Sequence, residues 1–137
     1  MNVLVDTSVW SLALRRNKPR GTAEERELTE LIREGRVAII GPIRQELLSG
    51  VKTLAQFRTL RDRLRAFPDI ELGSEDFEEA ASYFNMCRAR GVQGSNTDFL
   101  ICATAVRRGL TVFSTDADFA HYARVLRVKL HEVRKGG

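Results

Sequence analysis

Asp6, Glu46, Asp98 and Asp116 stand beside apolar segments, where folding alone would not ask for a charge. Asp6 ends the run Val3-Leu4-Val5, and Asp116 follows Thr111-Val112-Phe113-Ser114-Thr115 in the same way. Glu46 borders the face made by Ile43, Leu47 and Gly50, and Asp98 lies one turn before Ile101 and Cys102. Each has a bland reading when taken singly. Asp6 and Asp116 could cap helices, Asp98 could be an anion favoured in a helix's first turn, and Glu46 could pair with an arginine. Taken together they are harder to explain as structure alone. Half-buried carboxylates without partners are costly, and neighbouring carboxylates raise one another's pKa. A shared pocket is stable only if protons or cations neutralise it, and no Lys or Arg falls on the same expected faces.

The donor chemistry narrows the cation. All four side chains offer hard oxygens, and His121 and His131, the only histidines, lack metal-site spacing with them. Oxygen-only ligation suits Mg²⁺ or Mn²⁺ and argues against Zn²⁺. Such sites keep bound waters and complete their shell with substrate phosphates. One or two ions could activate water and stabilise the leaving oxygen in an in-line attack on a phosphodiester. Asp118, two residues past Asp116, reads as a fifth ligand, an outer contact or a plain cap. Thr7, Ser8, Ser114 and Thr115 place hydroxyls beside the carboxylates, although most such residues simply satisfy helix ends.

The elements that must position these groups follow from periodicity. Val3, Leu4 and Val5 read as a buried inner strand, and 37–40 and 110–113 read as others. Residues 70–72 and 128–133 are expected as a brief strand and a half-exposed edge strand. Helices are expected over 8–15, from the capping box Thr22-Ala23-Glu24-Glu25 to Gly35, and from Pro42 onward. Gly50 could divide that last one, leaving a further helix over 53–67. Ser74 is expected to cap a long helix with Phe77, Ala80, Ala81 and Phe84 on one stripe. Asn96 or Thr97 should cap the next, which is apolar nearly all round and ends at Gly109; a last helix covers 117–126. Alternating strands and helices predict an α/β fold, a parallel sheet of four to five strands with helices on both faces.

The 137 residues suffice for one domain, expected over 1–137, and the 43% hydrophobic content is ordinary. Cys87 and Cys102 fall in expected helices and read as free buried thiols. No apolar run approaches membrane-spanning length and no signal-like stretch opens the chain, so a cytoplasmic protein is expected. Twenty-two Lys and Arg against eighteen Asp and Glu leave a charge of +4 and a pI near 9.5. With several acids committed to one pocket, the remaining surface is more basic than the total, which favours a polyanionic partner. Two basic clusters could meet it: Arg15, Arg16, Lys18 and Arg20 in a loop, and Arg58, Arg61 and Arg65 on one ridge. Either could instead face a protein partner or be an ordinary solvated surface.

Val-Asp-Thr-Ser-Val-Trp (5–10), Gln-Glu-Leu-Leu-Ser-Gly (45–50), Thr-Asp-Phe-Leu-Ile-Cys-Ala-Thr-Ala (97–105) and Ser-Thr-Asp-Ala-Asp-Phe (114–119) resemble, in order, the motifs of PIN-domain nucleases. The likeness is greatest to the VapC toxins of prokaryotic toxin–antitoxin pairs. It implies a PIN-like three-layer α/β/α fold around a mostly parallel sheet. It also implies an endoribonuclease dependent on Mg²⁺ or Mn²⁺, whose acidic cluster would be Asp6, Glu46, Asp98 and Asp116. Toxicity through RNA cleavage, inhibition by a VapB-like antitoxin and homodimerisation come with the same resemblance. Asp118 matches a position often acidic in that family. Two rivals are a non-catalytic PIN-like module that binds RNA or a partner, and a receiver-type Mg²⁺-binding signalling domain. The receiver reading is weakened because Asp6 has no acidic neighbour and Ser114-Thr115 offers no lysine. A phosphatase with two aspartates one residue apart fails because position 8 is serine.

Overall fold

Val3, Leu4 and Val5 are wholly inaccessible to solvent, as a strand covered on both faces must be. In the computed structural model, which describes residues 2–14 and 21–135, they form β1 (Val3–Val5) at the centre of a parallel sheet. Its neighbours are β2 (Val37–Ala38) and β3 (Thr111–Phe113), in the order β2-β1-β3. The chain leaves β1 through α1 (Thr7–Leu14) and α2 (Ala23–Arg33) to reach β2. It then runs through α3 (Gly41–Leu48), α4 (Leu54–Leu64), α5 (Ser74–Ala89) and α6 (Asn96–Arg108) before entering β3 on the other side of β1. Helix α7 (Asp118–Val125) follows. Successive crossovers thus leave β1 in opposite directions, which opens a crevice beyond the carboxyl ends of β1 and β3.

Register decides what faces that crevice. Leu4 pairs with Val112 and Val5 with Phe113, so the next residues, Asp6 and Ser114, come side by side. The Asp6 amide continues the ladder by donating to the Phe113 carbonyl at 2.8 Å. On the other edge Val3 pairs with Val37 and Leu4 with Ala38, which aims the start of α3 at the same end of the sheet. Helix α6 carries the buried run Phe99 to Ala105, and Gly109 ends it in the left-handed conformation at φ 68°. Trp10, also inaccessible, satisfies its indole N–H on the Val5 carbonyl at 3.1 Å.

The architecture is α/β with a parallel sheet, as expected, but the sheet has three strands among the described residues rather than four to five. The expected strand at 70–72 shrinks to one bridge, Ile39 to Asp69. Pro68 supplies no N–H just before it and Gly73 follows closely, so little chain remains to pair. The expected edge strand at 128–133 is likewise one bridge, Val112 to Leu130, because His131 and Arg134 turn toward Glu27 on α2. Gly50, at φ 81°, does separate α3 from α4. Phe77, expected on the inner stripe of α5, is 53% exposed and does not join the core. The inner stripe of α5 is Asp76, Ala80, Tyr83 and Cys87, one residue out of phase with the expected one. Cys87 and Cys102 are free and buried. Among the described residues no helix is long and apolar enough to cross a membrane.

Candidate active site

Asp6 sits at the β1–α1 junction and is 8% exposed. Its carbonyl begins α1 by accepting from the amides of Val9 and Trp10, so the backbone serves as the helix start. Its carboxylate serves a different purpose. Oδ2 accepts from the hydroxyls of Ser8 at 2.9 Å and Ser114 at 2.8 Å, one from each flank of the crevice. The Ser8 hydroxyl also accepts the Thr115 amide, and that of Ser114 accepts the Asp116 amide. The two serines therefore lock the turn after β3 to the turn after β1. Asp116 is held within this lock, and its Oδ1 accepts the Asp118 amide at 2.9 Å. Asp118 is the first residue of α7, two positions after Asp116.

Glu46 is carried by α3, whose early turn holds Pro42. Its Oε2 accepts from the Thr7 hydroxyl at 3.1 Å, which ties α3 to the start of α1. A cleft of about 560 Å³ opens there, lined by Thr7, Pro42, Gln45, Glu46, Ser49 and Thr97. Asp98 stands in the first turn of α6, next to Thr97. The cap of that helix is Ser95, whose hydroxyl accepts the Asp98 amide at 3.0 Å, rather than Asn96 or Thr97 as expected. Oδ2 of Asp98 accepts from the Tyr122 hydroxyl at 2.6 Å.

Negative charge accumulates among Asp98, Asp6 and Asp116. Burial pushes the Asp98 carboxyl above the ordinary range, and the negative charges of Asp6 and Asp116 push it further; hydrogen bonds from Tyr122 and Ser95 oppose the rise. Burial and the Asp98 carboxylate push the Tyr122 phenol far above its usual value, so it remains a donor. Residues from three distant segments thus repel one another across one space. Among the described residues no Lys, Arg or His forms an ion pair with Asp6, Glu46, Asp98, Asp116 or Asp118. Nor are three acidic, His or Cys side chains drawn close enough there to cage an ion by themselves. The donor set is oxygen-only, the chemistry that Mg²⁺ or Mn²⁺ takes together with bound waters.

The supporting residues divide. Thr7 donates to Glu46 and Ser114 to Asp6. Arg61 and Arg65 both turn to Asp62 on their own helix, and Arg58 is exposed. Arg15, Arg16, Lys18 and Arg20 lie outside the described residues. Arg107, at the far end of α6 from Asp98, pairs with Glu75 and Asp76. His131 is more buried than a surface residue, against Glu27. Sequence reasoning missed Tyr122 and Ser95. Tyr122 had one signal: it is the only member of the inward stripe of α7 with a polar tip, and a buried phenol needs a partner.

The fold recurs in known proteins. The family model described as PIN domain matches residues 3–125, and the chain belongs to the PIN-domain family. It is 31% identical over 136 residues to VapC ribonuclease Mb1587 of Mycobacterium bovis, covering 96% of this chain and 99% of that one. Ribonuclease VapC11 of Mycobacterium tuberculosis matches equally. Among solved structures, FitAcB from Neisseria gonorrhoeae superposes with a TM-score of 0.76 at 22% identity, covering 95% of this chain and 96% of that one. VapBC2 from Rickettsia felis, solved bound to a DNA fragment from its promoter, gives 0.74 at 17% identity, covering 96% and 98%. Membership of the PIN family sets aside the receiver-type reading.

Proposed function

We propose that this chain is a metal-dependent endoribonuclease, the toxin of a VapBC-type pair, that hydrolyses RNA phosphodiesters at the cleft between α1, α3 and α6. One observation carries the reading. Asp6 is buried on the hydroxyls of Ser8 and Ser114, Asp98 is held by Tyr122, and among the described residues no cation pairs with either or with Glu46 or Asp116, so the fold keeps negative charge there that a divalent cation would relieve. The ribonuclease activity named for the VapC relatives supports the same conclusion.

In this reading Asp6, Glu46, Asp98 and Asp116 hold Mg²⁺ or Mn²⁺, with Asp118 beside them. The ion, when bound, supplies an activated water and charge stabilisation for the leaving oxygen. The protein's own part is placement. Ser8 and Ser114 fix the Asp6 carboxylate, Thr7 fixes Glu46, and Ser95 fixes the start of α6. Arg58 and the basic residues Arg15, Arg16, Lys18 and Arg20 would bind the RNA backbone, with Arg61 and Arg65 already engaged by Asp62. A VapB-like antitoxin, a homodimer and a cytoplasmic location complete the reading; the VapBC complexes among the structural neighbours support the first.

Purified protein is expected to cut RNA with Mg²⁺ or Mn²⁺ and to stop on adding EDTA. Asp98→Asn should lower the rate by about 100-fold or more, about 3 kcal/mol of transition-state stabilisation, with an unchanged circular dichroism spectrum. Equal cutting by Asp98→Asn, or in EDTA, would overturn the proposal. Binding of RNA with no cleavage under any divalent ion would favour the non-catalytic module instead.

A further inference from the structure

An aspartate carboxylate rotates easily about its last torsion, so a ligand carboxylate needs something to set the edge it presents. Asp6 has two serine hydroxyls for this purpose and Glu46 has Thr7. For Asp98 the corresponding group comes from the far end of the chain. The Tyr122 hydroxyl reaches Oδ2 at 2.6 Å, across 24 residues of sequence. Its ring is wholly buried, with Phe99 at 5.0 Å and Phe119 at 5.2 Å between ring centroids, so the phenol cannot swing away. Gly94 completes the arrangement. A Cβ there would stand 2.4 Å from the Tyr122 oxygen and 2.7 Å from its Cζ. Any side chain at 94 would collide with the phenol. Gly94 has no positive φ to explain its identity, so clearance for Tyr122 does.

We propose that Tyr122 is a positioning residue for the cleft: its hydroxyl sets the rotation of the Asp98 carboxylate toward the divalent ion, and Gly94 is glycine to leave that hydroxyl room. This rests on the proposed metal-dependent function, and it names residues that neither the acidic motif nor the relatives' names include. The phenol touches neither ion nor substrate; it acts through Asp98.

The test is Mn²⁺ binding by calorimetry to the full chain, with melting in EDTA measured in parallel. Tyr122→Phe keeps the packed ring and removes only the hydroxyl, so it should fold and bind Mn²⁺ about 10-fold more weakly or worse. Gly94→Ala should weaken binding in the same direction by displacing the phenol. In the Tyr122→Phe background, Gly94→Ala should cost no further Mn²⁺ affinity, although its steric cost to melting should persist. Wild-type affinity in a folded Tyr122→Phe protein would overturn the inference and leave the metal site standing. So would a full, additive loss from Gly94→Ala in that background. Absence of Mn²⁺ binding by wild type would remove the metal reading and this inference with it. Loss of binding in Asp98→Asn shows which case applies.

Discussion

At the scale of single residues, the site trades stability for chemistry. The carboxyl of Asp98 has a raised pKa, so its charged form disfavours the folded state. The sign follows directly. Between the unfolded value of 3.8 and the raised folded value, the native state holds more protons, and metal-free stability falls as pH rises through that interval. Asp98→Asn removes the charge. In EDTA at neutral pH that variant should melt a few degrees above wild type. Added Mn²⁺ should reverse the order, since binding at 100 times the dissociation constant stabilises by about 2.7 kcal/mol and only wild type gains it. Scanning calorimetry with and without Mn²⁺ checks both halves. A variant that melts lower in EDTA would mean that the fold alone compensates the charge.

At the scale of elements, the helix that carries Asp98 is anchored from its other end. Asp76, 1% exposed on α5, accepts from Arg108 of α6 through both oxygens, at 2.7 and 2.9 Å, and from Arg107 as well. It also accepts the Gly73 amide that begins its own helix. Arg108 above all holds the Asp76 carboxyl well below the usual carboxylate range, with the Gly73 amide and Arg107 adding to it and burial opposing. A depressed pKa stabilises the fold in full above the unfolded value of 3.8 and is lost as pH falls below it toward the folded value. Asp76→Ala leaves Arg108 partly buried without its anion and Arg107 with Glu75 alone. The expected loss is about 3 kcal/mol at pH 7, the lower end for a broken buried pair because the arginines reach water. Urea unfolding at pH 7 and near pH 3 should show the gap between variant and wild type narrowing in acid. A gap that stays constant would assign the effect to packing.

At the scale of the whole molecule, the C-terminal segment closes the fold by returning to α2. Glu27, 4% exposed, meets His131 and accepts from Arg134 Nε at 3.0 Å, while the rest of that guanidinium reaches Glu34. Burial raises the Glu27 carboxyl, but hydrogen bonds from His131 and Arg134 outweigh it and the net shift is downward. The same segment extends β3 through the Val112 amide to the Lys129 carbonyl and the His131 amide to the Val112 carbonyl. Glu27→Ala should therefore cost about 1–3 kcal/mol by stranding the imidazole. Hydrogen exchange should then show the His131 amide losing protection ahead of β1, whose strand is covered on both faces. Equal loss across the sheet would mean that this closure is not a separate unit.

What sequence determined here is whatever one short segment can encode. An unbroken apolar run makes β1, Thr22 and Glu25 start α2, Gly109 stops α6, and acids ending apolar segments mark the cleft, because each signal depends only on near neighbours. The four carboxylates stood out only as a set, since each taken alone has a local reading as a cap, a first-turn anion or half of an ion pair. The rest depends on partners far apart in the chain. Pairing of Val5 with Phe113 puts Ser114 on Asp6, and neither residue carries a trace of the other. Which stripe of α5 faces inward was settled by an ion cluster with Arg107 and Arg108, so Asp76 is buried and Phe77 is not. Strand count depended on how much chain remained to pair after Pro68 and before the turn to Glu27. Tyr122 and Gly94 have meaning only together with Asp98, and only close packing of α6 and α7 with the loop before α6 brings the three into contact.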